Sequence, residues 1–220
     1  MMKDRMAIKF LFGLFAITSV LMACAQSDEK GEEPVVKDYR KNLDSLQVAY
    51  FASGCFWCVE EVFESVNGVE EVISGYSGGK EKNPTYEQVG AGVTGHAESV
   101  KIYYDSSVVN FQTLVDVFFN SHDPTTKDQQ GPDKGRQYRS IAFYQNEDEK
   151  EIIERTIKSL LKNDIFPKIT TEVTAFTIFY PAEDYHQDYV KLHPNQAYVK
   201  AVSIPRLNEF KEKMPEVLKP

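Results

Sequence analysis

An apolar, β-prone run, Val48-Ala49-Tyr50-Phe51-Ala52, stops at Ser53-Gly54 and passes at once into Cys55-Phe56-Trp57-Cys58. The run suits a strand, and apolar residues at Phe56, Val59, Val62, Phe63 and Val66 suit one face of a helix. Gly54 permits the tight turn between them. Cys55 then falls in the first helical turn, where unpaired N–H groups and the helix dipole favour an anion. Its thiol is expected to ionise below the usual range and to act as a nucleophile. Cys58, one turn on, lies on the same face and within disulfide reach. Strand, turn, Cys-x-x-Cys and helix form a redox signature. The bland alternative is two buried cysteines filling a core.

The first residues read as a leader rather than as fold. Lys3, Arg5 and Lys9 make a basic start, and residues 10–22 are apolar but too few for a comfortable membrane span. Leu21-Met22-Ala23-Cys24 resembles a bacterial lipoprotein cleavage site. That resemblance implies removal of residues 1–23, a diacylglycerol on Cys24 and an acylated new N-terminus, which together give stable anchoring. An ordinary signal peptide cut near Ala23 or Ala25 is the alternative, and either way the domain is exported. Ala25 after Cys24, rather than Asp, mildly disfavours retention in an inner membrane. The localisation expected is a bacterial membrane-anchored lipoprotein facing the periplasm or the exterior. Residues 24–45 are polar and charged and read as a disordered tether, with the folded domain at 46–220.

Composition narrows the class. The 220 residues suffice for one domain, and a formal net charge of −8, or −10 once residues 1–23 are removed, argues against a nucleic-acid binder, which would normally show a basic patch. With Cys24 lipidated, Cys55 and Cys58 are the remaining thiols, so there is no disulfide framework and the pair is a working one.

Along the domain, strands are expected at residues 69–76, 99–105, 140–144 and 171–179. Pro84 marks a short helix, Asn110 caps a helix with Phe111, Leu114, Val115 and Phe118 inward, and a later helix carries Ile152, Ile153, Ile157, Leu160 and Leu161. Residues 121–137 form a long polar loop, and residues 182–192 suggest a last short helix before irregular chain with a helical end. Alternating strands and helices without a Rossmann glycine fingerprint leave α+β or α/β in one domain. The expected fold class is α+β, a two-layer sandwich on a mixed sheet with long loops and an irregular C-terminal segment.

Glu98 begins a strand whose parity puts it beside Val100, Ile102 and Tyr104. On that apolar face a carboxyl resists ionisation and can serve as a general acid. At the strand's first position it could equally reach solvent at the rim, and parity does not decide between the two.

Gly54-Cys55-Phe56-Trp57 with Glu60, Pro84-Thr85-Tyr86, Gly95-His96-Ala97-Glu98, His122-Asp123-Pro124-Thr125 and Gln137-Tyr138-Arg139-Ser140 resemble, in order, the motifs of the A-type peptide methionine sulfoxide reductases. Tyr185-His186 resembles a later one, and the resemblance spans residues 46–205. It implies that Cys55 attacks the sulfoxide sulfur and that Phe56 and Trp57 receive the substrate methyl group. It also implies that Glu98, Tyr86 and Tyr138 surround the oxygen, with Asp133 in the matching acidic position. The S epimer is the implied substrate, in oxidised proteins and as free methionine sulfoxide. Many members carry glycine at the position of Cys58 and a recycling cysteine in the C-terminal tail, and residues 200–220 hold none. Cys58 is therefore expected to resolve the sulfenic acid on Cys55 into a disulfide. The alternative is direct resolution by an outside thiol. A thioredoxin-like dithiol supplies the electrons, no cofactor is bound, and a monomer is the default.

Two rival classes remain. A thioredoxin-like disulfide exchanger shares the Cys-x-x-Cys turn but gives no role to Phe56-Trp57 or Glu98, and a non-enzymatic surface lipoprotein needs only anchor and tether. Metal is not expected, because no second cysteine pair exists and His96, His122, His186 and His193 are scattered. His122 and His186 read as satisfied structural histidines.

Overall fold

The Cys-x-x-Cys helix lies across a sheet that its own preceding strand helps to build. The computed structural model describes residues 43–220, so the leader 1–23, Cys24 and nearly all of the tether 24–45 lie outside the described residues. A single 3-10 turn, Leu43–Ser45, precedes β1 (Gln47–Ser53), which turns at Gly54 into α1 (Phe56–Glu64). Then follow β2 (Val69–Ser77), α2 (Tyr86–Gly90), β3 (Ala97–Tyr104) and α3 (Phe111–Asn120). The long loop folds into a small hairpin, β4 (Gln129–Gln130) and β5 (Asp133–Lys134), and a 3-10 turn, Arg136–Tyr138. The chain continues through β6 (Ser140–Tyr144), α4 (Glu147–Lys162), β7 (Glu172–Ala175), β8 (Phe179–Pro181), α5 (Tyr189–Leu192) and α6 (Ile204–Lys213).

The sheet runs β7-β6-β1-β3-β2-β8 and is mixed, because β6 and β7 pair in parallel across the α4 crossover while the other neighbours are antiparallel. Period-two alternation sorts its side chains. Ala49, Phe51, Val100, Ile102 and Tyr104 join the main core with Phe56, Val59, Val62 and Phe63 of α1 and Leu114, Val115 and Phe118 of α3. Tyr50, Ala52, Ala97, Ile141 and Phe143 form a smaller cluster of their own. Local signals set the helix starts: Asn110 accepts from the Thr113 N–H at 2.9 Å, and Thr85 and Gln88 make a reciprocal capping box on α2, with Pro84 just ahead of it.

Three expectations need correction. Residues 171–179 are not one strand: β7 and β8 lie on opposite edges of the sheet. The chain between them crosses the smaller cluster, where Phe176 stacks on Tyr50 with ring centroids 3.7 Å apart. Residues 182–192 form a 3-10 turn, Asp184–His186, and the four-residue α5, separated by Asp188 in the left-handed region at φ +52. On α4, Ile153 is buried but Leu161 is 38% exposed. At 3.6 residues per turn, Leu161 is rotated about 80° from Ile153, at the margin of the stripe. The C-terminal segment passes through a π-helical turn, Val199–Ser203, directly into α6.

Candidate active site

Gly54 has φ +92, and a Cβ there would stand 2.6 Å from Cβ of Gln130 in β4, so the β1–α1 turn accepts only glycine. It delivers Cys55 to the N-cap of α1 with no side-chain capping bond. The first amide of the helix, Phe56 N–H, instead donates to Glu98 Oε2 at 3.0 Å. Glu98 reaches it from the start of β3 and is 2% exposed, which settles the parity question for the buried alternative. Burial pushes its pKa up to about 8, against the pull of the Phe56 amide, so near neutrality the group is largely a carboxylic acid.

Cys55, Phe56, Trp57, Tyr86, Glu98, Asp133 and Tyr138 line one cavity of about 250 Å³, so seven of the eight catalytic and substrate-binding residues expected in the domain converge there. The turn of Tyr138 is tied to α2 by Gln137 Nε2, which donates to Gly90 O at 3.0 Å. Arg139 holds the same turn by donating to Arg136 O at 2.8 Å and Gly95 O at 3.0 Å. Glu183 accepts from Tyr86 N–H at 3.0 Å and from Tyr76 Oη at 2.8 Å, fixing α2 against β2. Burial raises the phenols of Tyr86, to about 12, and of Tyr138, so both remain hydrogen-bond donors. The indole of Trp57 stacks on Tyr189 at 3.7 Å, and its Nε1–H donates to His186 Nδ1 at 3.1 Å.

Cys58 does not line the cavity. It is 2% exposed behind Cys55, with its Sγ 3.2 Å from Ser203 Oγ. The electrostatics of the pair reverse the expectation for Cys55. Burial pushes the Cys55 thiol well above its usual range, and the contact with Cys58 adds to this. That same contact, with Arg206 and Ser203, draws Cys58 down to about 6 despite its burial. The leading amide of the helix is taken by Glu98 Oε2 and makes no bond to the Cys55 side chain.

Four residues were not singled out as site residues. Tyr198 and Gln196 complete the cavity wall, and the Tyr198 hydroxyl donates to Asp133 Oδ2. Ser203 Oγ accepts from the Cys58 thiol at 3.2 Å, and the charge of Arg206 draws that thiol down. They come from the C-terminal segment, and only tertiary contact joins them to the cysteines, so no local pattern marks them. Glu60 is 1% exposed and accepts from Ser74 Oγ and Asp188 N–H, both at 3.0 Å, tying α1 to β2 and α5. His122 is satisfied, donating from Nδ1 to Phe118 O at 2.6 Å and accepting from Ser140 Oγ at 2.8 Å. His186 is satisfied only at Nδ1, since its buried Nε2 has no partner. Among the described residues, Glu60, Glu64 and Asp188 form a carboxylate cluster that could hold a metal, and they are already engaged with Ser74 and Lys191. A larger cleft of about 720 Å³ adjoins the site and shares Asp133 and Tyr198 with it.

A buried nucleophilic thiol, a neutral carboxyl and two phenols around one small aromatic cavity can cleave a bond to oxygen by protonating the oxygen. The comparisons agree. A family model described as peptide methionine sulfoxide reductase matches residues 47–218. The peptide methionine sulfoxide reductase MsrA 1 of Rhodopirellula baltica is 48% identical over 179 residues, covering 81% of this chain and 93% of that protein. MsrA of Sulfolobus acidocaldarius is 47% identical over 171 residues, covering 78% of this chain and 97% of its own. Among solved structures, Mxr1 from Saccharomyces cerevisiae in reduced form has a TM-score of 0.65 at 32% identity, covering 69% of this chain and 87% of that one. Methionine sulfoxide reductase A of Corynebacterium diphtheriae has a TM-score of 0.62 at 33% identity, covering 69% and 76%.

Proposed function

Because the chain belongs to the peptide methionine sulfoxide reductase family, we propose that Cys55 and its cavity reduce the S epimer of methionine sulfoxide, in oxidised proteins and as the free amino acid. The enzyme is an oxidoreductase that turns methionine sulfoxide into methionine at the expense of thiols. Phe56 and Trp57 receive the methyl group on sulfur and keep water away. Cys55 attacks the sulfur, Glu98 gives its proton to the sulfoxide oxygen, and Tyr86 and Tyr138 donate hydrogen bonds to that oxygen as it gains charge. Methionine leaves and Cys55 is left as a sulfenic acid. Attack by Cys58 expels water and forms a Cys55–Cys58 disulfide, which a thioredoxin-like dithiol reduces. Both electrons come from thiols, so the chemistry calls for no resident cofactor.

The observation that carries this reading is the buried Glu98 facing the same cavity as Cys55 and the aromatic wall, where burial raises its carboxyl toward the protonated form. A single turnover tests it. Reduced protein is mixed with excess L-methionine S-sulfoxide without reductant, and methionine and remaining thiols are counted. One methionine per chain with both thiols lost is expected. A thiol still titratable after one methionine would remove Cys58 from the resolving role, and no methionine would overturn the activity.

The location we propose is outside the cytoplasm, facing the periplasm or the cell exterior and held to a bacterial membrane by lipid on Cys24. The support is the basic and apolar leader followed by Leu21-Met22-Ala23-Cys24. The reductant must then receive its electrons across the cytoplasmic membrane. In cells, Cys24→Ala should move the protein from the membrane fraction to the soluble one, and an unchanged distribution would count against the anchor.

A further inference from the structure

We propose that the larger cleft beside the reaction cavity is a subsite for the substrate polypeptide, taking a bulky apolar side chain next to the methionine sulfoxide. The proposal rests on the activity proposed above and adds to it a reading of the neighbouring sequence. The cleft is continuous with the site, because Asp133 and Tyr198 line both spaces and the Tyr198 hydroxyl donates to Asp133 Oδ2. That bonded pair is the partition, so a chain that puts its sulfoxide against Cys55 lies at the edge of the cleft. The cleft is also far larger than the reacting side chain needs. It holds about 720 Å³ against about 250 Å³ for the reaction cavity, within the range of pockets that enclose a ligand of several groups.

The wall is apolar and partly unpartnered. Ile165 and Phe166 follow α4, Ala201, Val202 and Pro205 come from the C-terminal segment, and Pro132 lies in the turn of the β4–β5 hairpin. Pro132, Ile165, Ala201 and Pro205 are exposed, Ile165 at 60%. Apolar residues grouped in this way at a surface mark a place where something docks. The wall is also held. Asp164, in the left-handed region at φ +55, closes α4, and Ile165 N–H donates back to Leu160 O at 3.0 Å. Arg206 braces the C-terminal side by donating to Ser121 O at 2.6 Å and to Ser53 Oγ at 3.2 Å. A wall already fixed loses little freedom when it is covered.

Charge narrows the occupant. Lys213 pairs with Glu209 at 2.8 Å, and Arg206 shares the lining with Asp123 and Asp133. The two signs nearly balance, so the cleft suits a leucine or phenylalanine side chain better than an acidic or basic one. Continuity with the cavity makes that side chain part of the substrate itself.

The test gives the protein a thioredoxin-like dithiol and three blocked peptides of methionine S-sulfoxide. One carries glycine on both sides of the sulfoxide, one leucine before it and one leucine after it. At least one leucine peptide should exceed the glycine peptide in kcat/KM about tenfold or more, through KM. In Ile165→Asp that ratio should fall toward one, and in Ile165→Leu it should persist. The ratio is internal to each variant, so a change in the folded fraction does not move it. Equal kcat/KM for the three peptides, or a leucine preference that survives Ile165→Asp, would overturn the subsite. A higher KM for the dithiol in Ile165→Asp, with the peptide ratio unmoved, would give the cleft to the reductant and overturn the proposal. Loss of a sedimenting dimer in that variant, again with the ratio unmoved, would give it to a second copy and overturn it too. No methionine from any peptide or from free methionine sulfoxide would instead overturn the activity beneath the proposal, so the two failures are told apart.

Discussion

Glu98 shows how one carboxyl serves catalysis against stability. Its folded pKa of about 8 exceeds the unfolded value, so the fold holds a proton that the unfolded chain gives up above about 4.5. Stability is therefore fully present below about pH 4.5 and is lost as pH rises through about 8. Glu98→Gln keeps an acceptor for Phe56 N–H but has no proton to give. It should slow methionine release by about 10²–10⁴-fold. The same variant should melt higher than the wild type, with the gap wider at pH 8 than at pH 5 in calorimetry. A constant gap would mean that Glu98 is ionised in the fold. In the wild type, release should decline above about pH 8 as the acid is lost. His186 is the second case. His186→Phe leaves the Trp57 indole N–H unpaired at a cost of about 1–3 kcal/mol in urea unfolding, while the Tyr189 stack remains. KM should rise more than kcat falls, since the indole loses its bearing and no reacting group is touched.

At the scale of elements, the β1–α1 junction is written locally, because its glycine, its apolar periodicity and its cysteines lie within a few residues. Gly54→Ala asks alanine to adopt φ +92 and pushes a methyl into Gln130. It should cost roughly 2 kcal/mol or more and displace Cys55 along with the hairpin that carries Asp133. A variant that unfolds like the wild type and turns over normally would show that the turn is not needed in this form. The strands β2, β3 and β6 and the helices α1, α3 and α4 could be read from periodicity and caps. The division of residues 171–179 into β7 and β8 could not, because β-branched and aromatic side chains suit a strand and the face of a sheet equally well. Leu161 shows the same limit on a helix, since periodicity names a stripe while the width actually covered is set by what packs on it.

At the scale of the molecule, the C-terminal segment closes the structure behind the cysteines. Ser203 accepts from Cys58, Arg206 donates to Ser121 O, and farther on Lys219 N–H donates to Ser65 O at 2.9 Å while Val217 O accepts from Asn67 N–H at 2.8 Å. Val217 and Leu218 pack on the main core, to which the fully buried Val66 belongs. Deleting residues 215–220 should lower unfolding stability by about 2 kcal/mol, seen as a lower urea midpoint, with single-turnover chemistry retained because Cys55 lies at the opposite end of α1. By itself the sequence determined which residue types meet at the site: a thiol on a glycine turn, an aromatic pair beside it, and a carboxyl on the apolar side of a strand, each carried by short-range periodicity and turn chemistry. Only the tertiary structure decided how those groups are surrounded. Whether Glu98 is buried, how deeply each of the two thiols lies, and that Tyr198 and Ser203 belong to the site depend on desolvation and on contacts between residues far apart in the chain, and no local pattern encodes those.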